Sequence, residues 1–192
     1  MSMKKIMFND KYGLTQAVLE GRKTMTRRVI DQRTEGWLRM QYNERYDDWH
    51  RRSPYMYLET LAIAQAYKDI YEKGGFGMHD PFTFVEESAG WTNKMLVKAK
   101  LMPHHIKITN IRVERLQDIS DEDCLREGVR LWEDAVPEYK SNPLGKLYEI
   151  VGMWDGYKSP REAFAALIDK VSGKGTWESN PLVWVYEFEL VD

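Results

Sequence analysis

Alternating apolar and polar residues predict strands at both ends of the chain. Near the N-terminus the segment KKIMF (4–8) has this pattern, and near the C-terminus the segment NPLVWVYEFELV (180–191) continues it over a longer stretch. Successive side chains on a strand point to opposite faces. The C-terminal strand therefore places four large apolar residues on one face: Trp184, Tyr186, Phe188 and Leu190.

The middle of the chain predicts further strands. The segment ETLAIAQAY (59–67) alternates in the same way, and the segment NKMLVKAKLMPHHIKITNIRVERL (93–116) is predicted to form two or three strands interrupted at residues 102–103. In the second segment the apolar residues change from even to odd positions. This change of phase indicates a β-bulge near residues 109–110.

A short helix is predicted between the first strand and a basic stretch. Leu14, Ala17 and Val18 recur at helical spacing. Gly21 follows at the position where a residue in the left-handed conformation commonly ends a helix. We therefore expect about two turns of helix that lead directly into residues 21–28.

Two later helices have clear N-terminal signals. In DISDEDCLREGV (118–129), Ser120 is placed to cap a helix with an acidic first turn. In SPREAFAALIDKVSGKG (159–175), Ser159 and Glu162 are spaced as a capping box. The stripe that this helix is predicted to bury comprises Phe164, Leu167, Ile168 and Val171.

Two stretches lack a clear period. Residues 31–58 are polar and aromatic and are interpreted as an irregular insertion, whereas residues 68–82 contain several glycines and a proline and are interpreted as a loop. Strands dominate the middle and the end of the chain, with helices between them. The pattern predicts an α+β fold, a small mixed β-barrel or curled sheet with flanking helices.

Composition supports one folded domain and limits its partners. The 192 residues are 43% hydrophobic and 12% aromatic, enough for a sizeable core. No apolar run approaches the ~20 residues that cross a bilayer, and the N-terminus lacks the apolar segment of a signal peptide. A net charge of −2 disfavours a protein that grips long duplexes by neutralising many phosphates. Nucleic acid would instead be bound by a local patch.

Few residues are placed for metal or cofactor chemistry. Cys124 is the single cysteine, which fits a buried position and a reducing, cytoplasmic setting. His104 and His105 are adjacent, so on a strand they point to opposite faces. The glycines of EKGGFGMHD (72–80) lack the Lys-Ser/Thr ending of a phosphate-binding loop. We therefore expect neither a metal ion nor a cofactor.

Aromatic residues beside basic ones are candidates for contacts with nucleic acid. Trp91 with Lys94, and Trp177 with Lys174, would stack on a base while the cation holds a phosphate. The same tryptophans equally suit core packing. The densest basic cluster is GRKTMTRR (21–28), which suits either a solvated helix end or a functional site supported by carboxylates elsewhere.

Several blocks of the sequence resemble the ASCH domain (activating-signal-cointegrator homology). AVLEGRKTMTRRVI (17–30) resembles the family signature Gly-x-Lys-x-x-Thr-x-Arg. The four fixed positions of that signature are occupied by Gly21, Lys23, Thr26 and Arg28. Residues 100–129 resemble the family's paired strands and its short helix that ends in Glu-Gly-Val, and residues 180–191 resemble the closing strand of phage and bacterial members.

The resemblance implies a PUA-like β-barrel with flanking helices in a single domain over residues 1–192. The chain is about twice as long as the minimal hydrolase of the family. The additional residues are interpreted as insertions at about 31–58, 68–90 and 130–158.

The resemblance also implies a cleft beside the signature that binds RNA, single-stranded nucleic acid or a nucleotide. A bacterial branch of the family hydrolyses the amide of N4-acetylcytidine with a Lys, a Thr and a Glu, which match Lys23, Thr26 and Glu127 in this sequence. The residues expected to bind the ligand are Gly21, Arg22, Lys23, Thr26, Arg27, Arg28, Trp91, Lys94 and Glu127.

The chemistry of these residues leaves binding and catalysis open. The neighbouring arginines would lower the pKa of an enclosed Lys23, which could then activate Thr26 or a water while Glu127 passes a proton to the leaving amine. The same groups would bind a phosphate and the exocyclic amine of a base. Three hypotheses follow: a domain that binds RNA, single strands or a modified nucleoside, an amidohydrolase that acts on N4-acetylcytidine or a related small amide, and a phage-derived accessory protein that binds another protein.

Overall fold

A five-stranded sheet organises the part of the chain that the computed structural model describes, which comprises residues 3–41, 52–74, 88–132, 147–153 and 155–191. The strands are β1 (Lys5–Ile6), β2 (Met25–Val29), β3 (Thr60–Ile63), β4 (His105–Arg115), β5 (Arg130–Leu131), β6 (Tyr148–Glu149) and β7 (Leu182–Leu190). The large sheet has the order β1-β3-β4-β7-β2, with β1 parallel to β3 and the other pairs antiparallel. β5 and β6 pair separately.

The sheet is open, so the α+β class is confirmed but a closed barrel is not seen in the described residues. β1 and β2 form its two edges, and no backbone pairing joins them there. Between these edges the side chain of Arg28 on β2 donates a hydrogen bond to the carbonyl of Met7, just beyond β1. A side chain thus spans the gap that backbone hydrogen bonds would close in a barrel.

The predicted bulge in β4 is confirmed. The register of β4 against β7 shifts between Ile108 and Asn110. As a result Ile108 lies opposite Phe188, and Ile111 lies opposite Tyr186. The bulge therefore keeps the apolar residues of both halves of this 11-residue strand on the same face of the sheet.

The described residues contain six α-helices: α1 (Leu14–Leu19), α2 (Gln32–Gln41), α3 (Tyr67–Glu72), α4 (Asp121–Arg126), α5 (Pro160–Ser172) and α6 (Thr176–Ser179). The predicted caps of α4 and α5 are confirmed. The Ser120 hydroxyl accepts from the Asp123 N–H, and the Ser159 hydroxyl accepts from the Glu162 N–H, each at 3.1 Å. The Glu162 carboxylate accepts from the N–H of Lys158, one residue before the cap, at 3.0 Å.

The prediction that residues 31–58 are irregular is wrong for α2. Asp31 caps this helix, because its carboxylate accepts from the N–H and the hydroxyl of Thr34 at 3.0 and 2.6 Å. The cap starts a helix whose sequence has few apolar residues to indicate it. Residues 42–51 lie outside the described residues.

Two further predictions of local structure are wrong. α3 occupies the start of the predicted loop at 68–82, of which residues 75–82 lie outside the described residues. Residues 94–101 form two 3-10 turns instead of a strand. The first turn begins at Asn93, whose side chain accepts from the Met95 N–H at 3.0 Å and bends the backbone away from an extended path.

Two core clusters lie against the sheet. The larger one includes residues of α1 and α5 with most strands, and the smaller one includes Tyr67 and Ile70 of α3. Cys124 is fully buried in the larger cluster, as predicted. Val171 is 38% exposed, so its predicted place in the buried stripe is wrong. Among the described residues, no helix is both long enough and apolar enough to cross a membrane.

Candidate functional site

A cavity of about 120 Å³ lies along the edge of β2 that pairs with no other strand in the described part of the chain. Residues 26–29 all line it. Because consecutive side chains on a strand point to opposite faces, the cavity must follow the edge of the strand and not one face. Residues 7–9, just beyond β1, line the opposite side. The cavity therefore occupies the gap between the two edges of the open sheet.

Apolar side chains form the walls of the cavity. Phe8 follows β1, Leu14 belongs to α1, and Phe164, Leu167 and Ile168 belong to α5. The last turn of α5 contributes to the lining as well, which explains why its residues are more exposed than the predicted stripe required. Helix residues that the sequence indicates only as core thus also enclose a site.

Lys23 lies at the polar end of the cavity and is only 2% exposed. It follows the turn at Gly21, whose φ of 72° is in the left-handed region, as predicted for the end of α1. The Lys23 Nζ donates to the carbonyls of Met25 and Glu127, each at 2.7 Å, and to the Glu127 Oε2 at 2.6 Å. These three acceptors match the three N–H groups of an ammonium.

Burial lowers the pKa of Lys23, and the charges of Arg28 and Arg27 lower it further, although Glu127 acts in the opposite direction. The expected direction agrees with the sequence argument, but desolvation is the larger cause. Arg22, one of the cations considered, points to the surface, where it pairs with Glu20 at 2.6 Å.

Arg27 holds the second oxygen of Glu127. Its Nη1 lies 3.2 Å from the Glu127 Oε1, and its Nη2 lies 2.6 Å from Glu114 and 3.0 Å from Asp123. The side chain of Arg27 is 1% exposed. Three carboxylates from three places in the chain therefore surround one buried guanidinium.

These contacts belong to a larger set of ion pairs, which we call the charge network. Arg112 pairs with Glu114 at 2.9 Å, with Asp123 at 2.8 Å and also with Glu187, while Arg126 pairs with Glu187 at 2.8 Å. The network comprises Lys23, Arg27, Arg112, Arg126, Glu114, Asp123, Glu127 and Glu187. Its four cations and four carboxylates balance.

Thr26 and Arg28 differ from the network because they keep polar groups available to the cavity. Thr26 is 5% exposed, and its hydroxyl has no hydrogen-bond partner within the described part of the chain. The Arg28 guanidinium lies 6.0 Å from the centre of the Phe8 ring. No described carboxylate pairs with Arg28.

The structure brings Lys23, Thr26 and Glu127 to one cavity, but it places other candidate residues elsewhere. Gly21 and Arg22 are exposed on the turn before β2. Trp91 packs on Tyr71, with ring centres 5.9 Å apart, and on the smaller core cluster. Lys94 pairs with Asp10 at 2.6 Å. None of these four lines the cavity.

The second aromatic pair of the sequence also has structural contacts. The ring of Trp177 lies 6.2 Å from that of Phe164, and the guanidinium of Arg161 lies 5.1 Å from the Trp177 ring centre. The cation beside Trp177 is therefore Arg161 of α5, in place of the expected Lys174.

Sequence reasoning missed five members of the charge network: Glu114, Asp123, Arg112, Arg126 and Glu187. One signal was available, since Arg112 and Glu114 are two residues apart on β4 and must share a face. Asp123 was interpreted only as a charge that favours the N-terminus of α4.

No protein-family model, curated protein or solved structure matches this chain. In the described residues, no group of three or more His, Cys, Asp or Glu side chains is placed to hold a metal ion.

Proposed function

We propose that this chain is an ASCH-type, PUA-like domain that binds a nucleoside or nucleotide, with the base in the cavity at the edge of β2. The observation that carries the proposal is that Lys23, Thr26 and Glu127, each nearly buried, line one cavity together with apolar walls. Sites for small ligands typically combine such walls with a few fixed polar groups.

The size of the cavity favours one planar ring. Its volume of about 120 Å³ is well below the ~300–1,000 Å³ of sites that enclose a drug-sized ligand. The rings of Phe8 and Phe164 in the lining suit the faces of a base. The sugar and any phosphate of the ligand would therefore lie outside the cavity.

Charge favours a short ligand. Arg28 is a cation in the lining without a described carboxylate partner, so it is placed to hold a phosphate or a base carbonyl. The other cations at the polar end, Lys23 and Arg27, are compensated by the charge network. With a net charge of −2, the chain is suited to a mononucleotide or a few linked nucleotides.

The test is a calorimetric titration with cytidine, cytidine 5′-monophosphate and short mixed RNA and DNA oligomers. We expect Arg28→Ala to weaken binding of the monophosphate about tenfold, the equivalent of ~1.4 kcal/mol, and to affect cytidine less. Thr26→Val should weaken both, and affinity for the charged ligands should fall with salt. Arg22→Ala is the matched control, because it removes an exposed arginine outside the cavity.

Absence of binding to every one of these ligands would contradict the proposed function. Equal loss in Arg22→Ala and Arg28→Ala would also contradict it, since the effect would then follow total charge and not position.

A second candidate is an amidohydrolase that acts on N4-acetylcytidine. It is favoured by one observation: the Thr26 hydroxyl has no described hydrogen-bond partner and lines the same cavity as Lys23, whose pKa is lowered by burial. Thr26 would attack the acetyl carbonyl, its proton would pass to the leaving amine, and water would then release acetate from the ester. The three acceptors around the Lys23 Nζ require that it first pass a proton on before it serves as a base.

Chromatography of N4-acetylcytidine after incubation with the protein distinguishes the two candidates. The amidohydrolase predicts equal amounts of cytidine and acetate, with no turnover in Thr26→Val. If N4-acetylcytidine binds but yields no product, even at high protein concentration, hydrolysis of this substrate is excluded and only the binding function remains.

A further inference from the structure

We propose that Arg27 is a positioning residue, whose guanidinium fixes the Glu127 carboxylate and, through it, the Lys23 ammonium at the polar end of the cavity. This inference rests on the proposed function only for the identity of the ligand. The arrangement of the three side chains is a property of the chain alone.

The Glu127 carboxylate is divided between two cations. The Lys23 Nζ lies 2.6 Å from its Oε2, and the Arg27 Nη1 lies 3.2 Å from its Oε1. A carboxylate with one partner can rotate about its last bond, whereas a carboxylate held at both oxygens cannot. Arg27 therefore sets the plane in which Glu127 faces Lys23.

Arg27 is itself fixed by two further carboxylates. Glu114 on β4 accepts from its Nε at 3.0 Å and from its Nη2 at 2.6 Å, and Asp123 on α4 accepts from the same Nη2 at 3.0 Å. The planar guanidinium is suited to such a fork, whereas a lysine at this position would lack the two parallel donors that bind Glu114. Three elements, β2, β4 and α4, thus determine where Arg27 points.

Lys23 and Glu127 connect this arrangement to the cavity. Glu127 binds Lys23 twice, through its carboxylate and through its backbone carbonyl at 2.7 Å. Both residues line the cavity, whereas Glu114 and Asp123 do not. Carboxylates outside the cavity therefore control the orientation of the groups inside it, which is the usual way that a binding site is held in one geometry.

A purely structural role for Arg27 is the alternative, in which it only ties β2 to α4. The two roles differ in the behaviour of Lys23. If Arg27 is a positioning residue, its replacement changes the protonation and solvent exchange of the Lys23 ammonium. If Arg27 is only a structural tie, its replacement changes only the stability of the fold.

The experiment uses the full chain without ligand, labelled with 13C,15N-lysine, and follows the Lys23 side chain by NMR over a pH series. Lys23→Arg assigns the signal. Arg27→Met removes a positive charge that lowers the pKa of Lys23 and leaves Glu127 to Lys23 alone, so that pKa should rise. Exchange of the ammonium protons should become about tenfold faster, because Glu127 is then held at one oxygen only.

Two conservative variants keep the test decisive if Arg27→Met does not fold. Arg27→Lys retains the charge but not the fork, so exchange should still become faster while the pKa of Lys23 changes less. Glu114→Gln weakens one support of Arg27 and should have the same effect to a smaller degree. Unchanged exchange and unchanged pKa of Lys23 in all folded variants would overturn the proposal.

Titration of the same variants with cytidine 5′-monophosphate separates this proposal from the proposed function. If the wild-type protein binds none of the nucleotides, the proposed function fails and the NMR result still decides the role of Arg27. If the wild-type protein binds and Arg27→Lys keeps both its affinity and the behaviour of Lys23, the positioning role fails and the proposed function stands. Support for both requires about a tenfold loss of affinity in Arg27→Lys.

Discussion

Arg27 and Arg28 are adjacent on β2, yet they lie in opposite electrostatic surroundings. Arg27 is buried among three carboxylates of the charge network, and its side chain is 1% exposed. Arg28 faces the cavity, where a backbone carbonyl and an aromatic ring are its described contacts. The alternation of a strand is sufficient to send one arginine into each region.

This difference shows that consecutive basic residues in the sequence need not form a positively charged surface in the structure. Within residues 21–28, Arg22, Lys23 and Arg27 each have a carboxylate partner, and the charge network as a whole is neutral. Arg28 is the one cation of this stretch that has no carboxylate partner among the described residues. What the sequence shows as a dense positive cluster is therefore mainly a structural feature.

Of the substitutions that test this comparison, Glu127→Ala is expected to change the free energy of unfolding most. The substitution leaves the Lys23 ammonium buried with two carbonyls and no carboxylate, and breaking a buried ion pair on one side typically costs ~3–5 kcal/mol. Unfolding in urea should show a loss of about this size in the free energy of unfolding. The matched control is Glu20→Ala, which removes the partner of exposed Arg22 and should change stability by less than ~1 kcal/mol. Equal losses of unfolding free energy in both variants would show that the Glu127 ion pairs contribute no more to stability than the exposed pair.

A smaller effect is expected from Gly128→Ala, at the end of α4. Gly128 has φ of 111°, and an added Cβ would lie 3.0 Å from the Leu14 Cδ2 and 3.7 Å from the Lys23 Cδ. We expect a loss of ~2–3 kcal/mol in unfolding free energy and weaker nucleotide binding, because the crowded residue, Leu14, lines the cavity. Gly21→Ala is the control, since its φ is also positive but no atom lies within 4 Å of the added Cβ. It should cost ~1 kcal/mol and leave binding unchanged.

The smallest effect is expected at Cys124, a fully buried residue of α4. Burial raises the pKa of its thiol from 9.0, the value for an exposed cysteine, to about 12. Because the folded pKa is the higher one, the stability that this group contributes is fully present below about pH 9 and is lost as pH rises towards 12. At about pH 8 we expect the native thiol to react with iodoacetamide at least ~100-fold more slowly than the denatured one.

The same reagent compares the two regions. Glu127→Ala should accelerate labelling of Cys124, because the end of α4 loses the carboxylate that pairs with Lys23 and Arg27, and Arg28→Ala should not. Acceleration by both variants would mean that the cavity and the charge network open together, against the distinction between them.

Local signals in the sequence were sufficient for much of the fold. The caps of α4 and α5 and the bulge in β4 depend on neighbouring residues, and each is confirmed. The Asp31 cap of α2 was an available signal that the polar composition of residues 31–58 obscured. Whether the sheet closes into a barrel could not be predicted, because closure depends on the distance between β1 and β2. These strands lie at opposite ends of the sheet, and the sequence does not give the distance between them.

The candidate site divides in the same way. Lys23, Thr26 and Glu127 were expected together from the resemblance, and the structure places them at one cavity, while their role stays a prediction. The partners of Arg27 could not be expected, because Glu114 reaches it only through the register that β2 and β4 each form with β7. The sequence contains these charges but not the pairing that brings them together.

The open edge of β2 also bears on how chains of this protein avoid one another. An unpaired edge strand offers its backbone to a strand of another molecule and so invites aggregation. Here β1 is only two residues long, and the edge of β2 borders a cavity enclosed by side chains of α5 and crossed by Arg28. An incoming strand would have to break the Arg28 contact with Met7 and push these side chains aside. The side chains in this gap would thereby hinder edge-to-edge association.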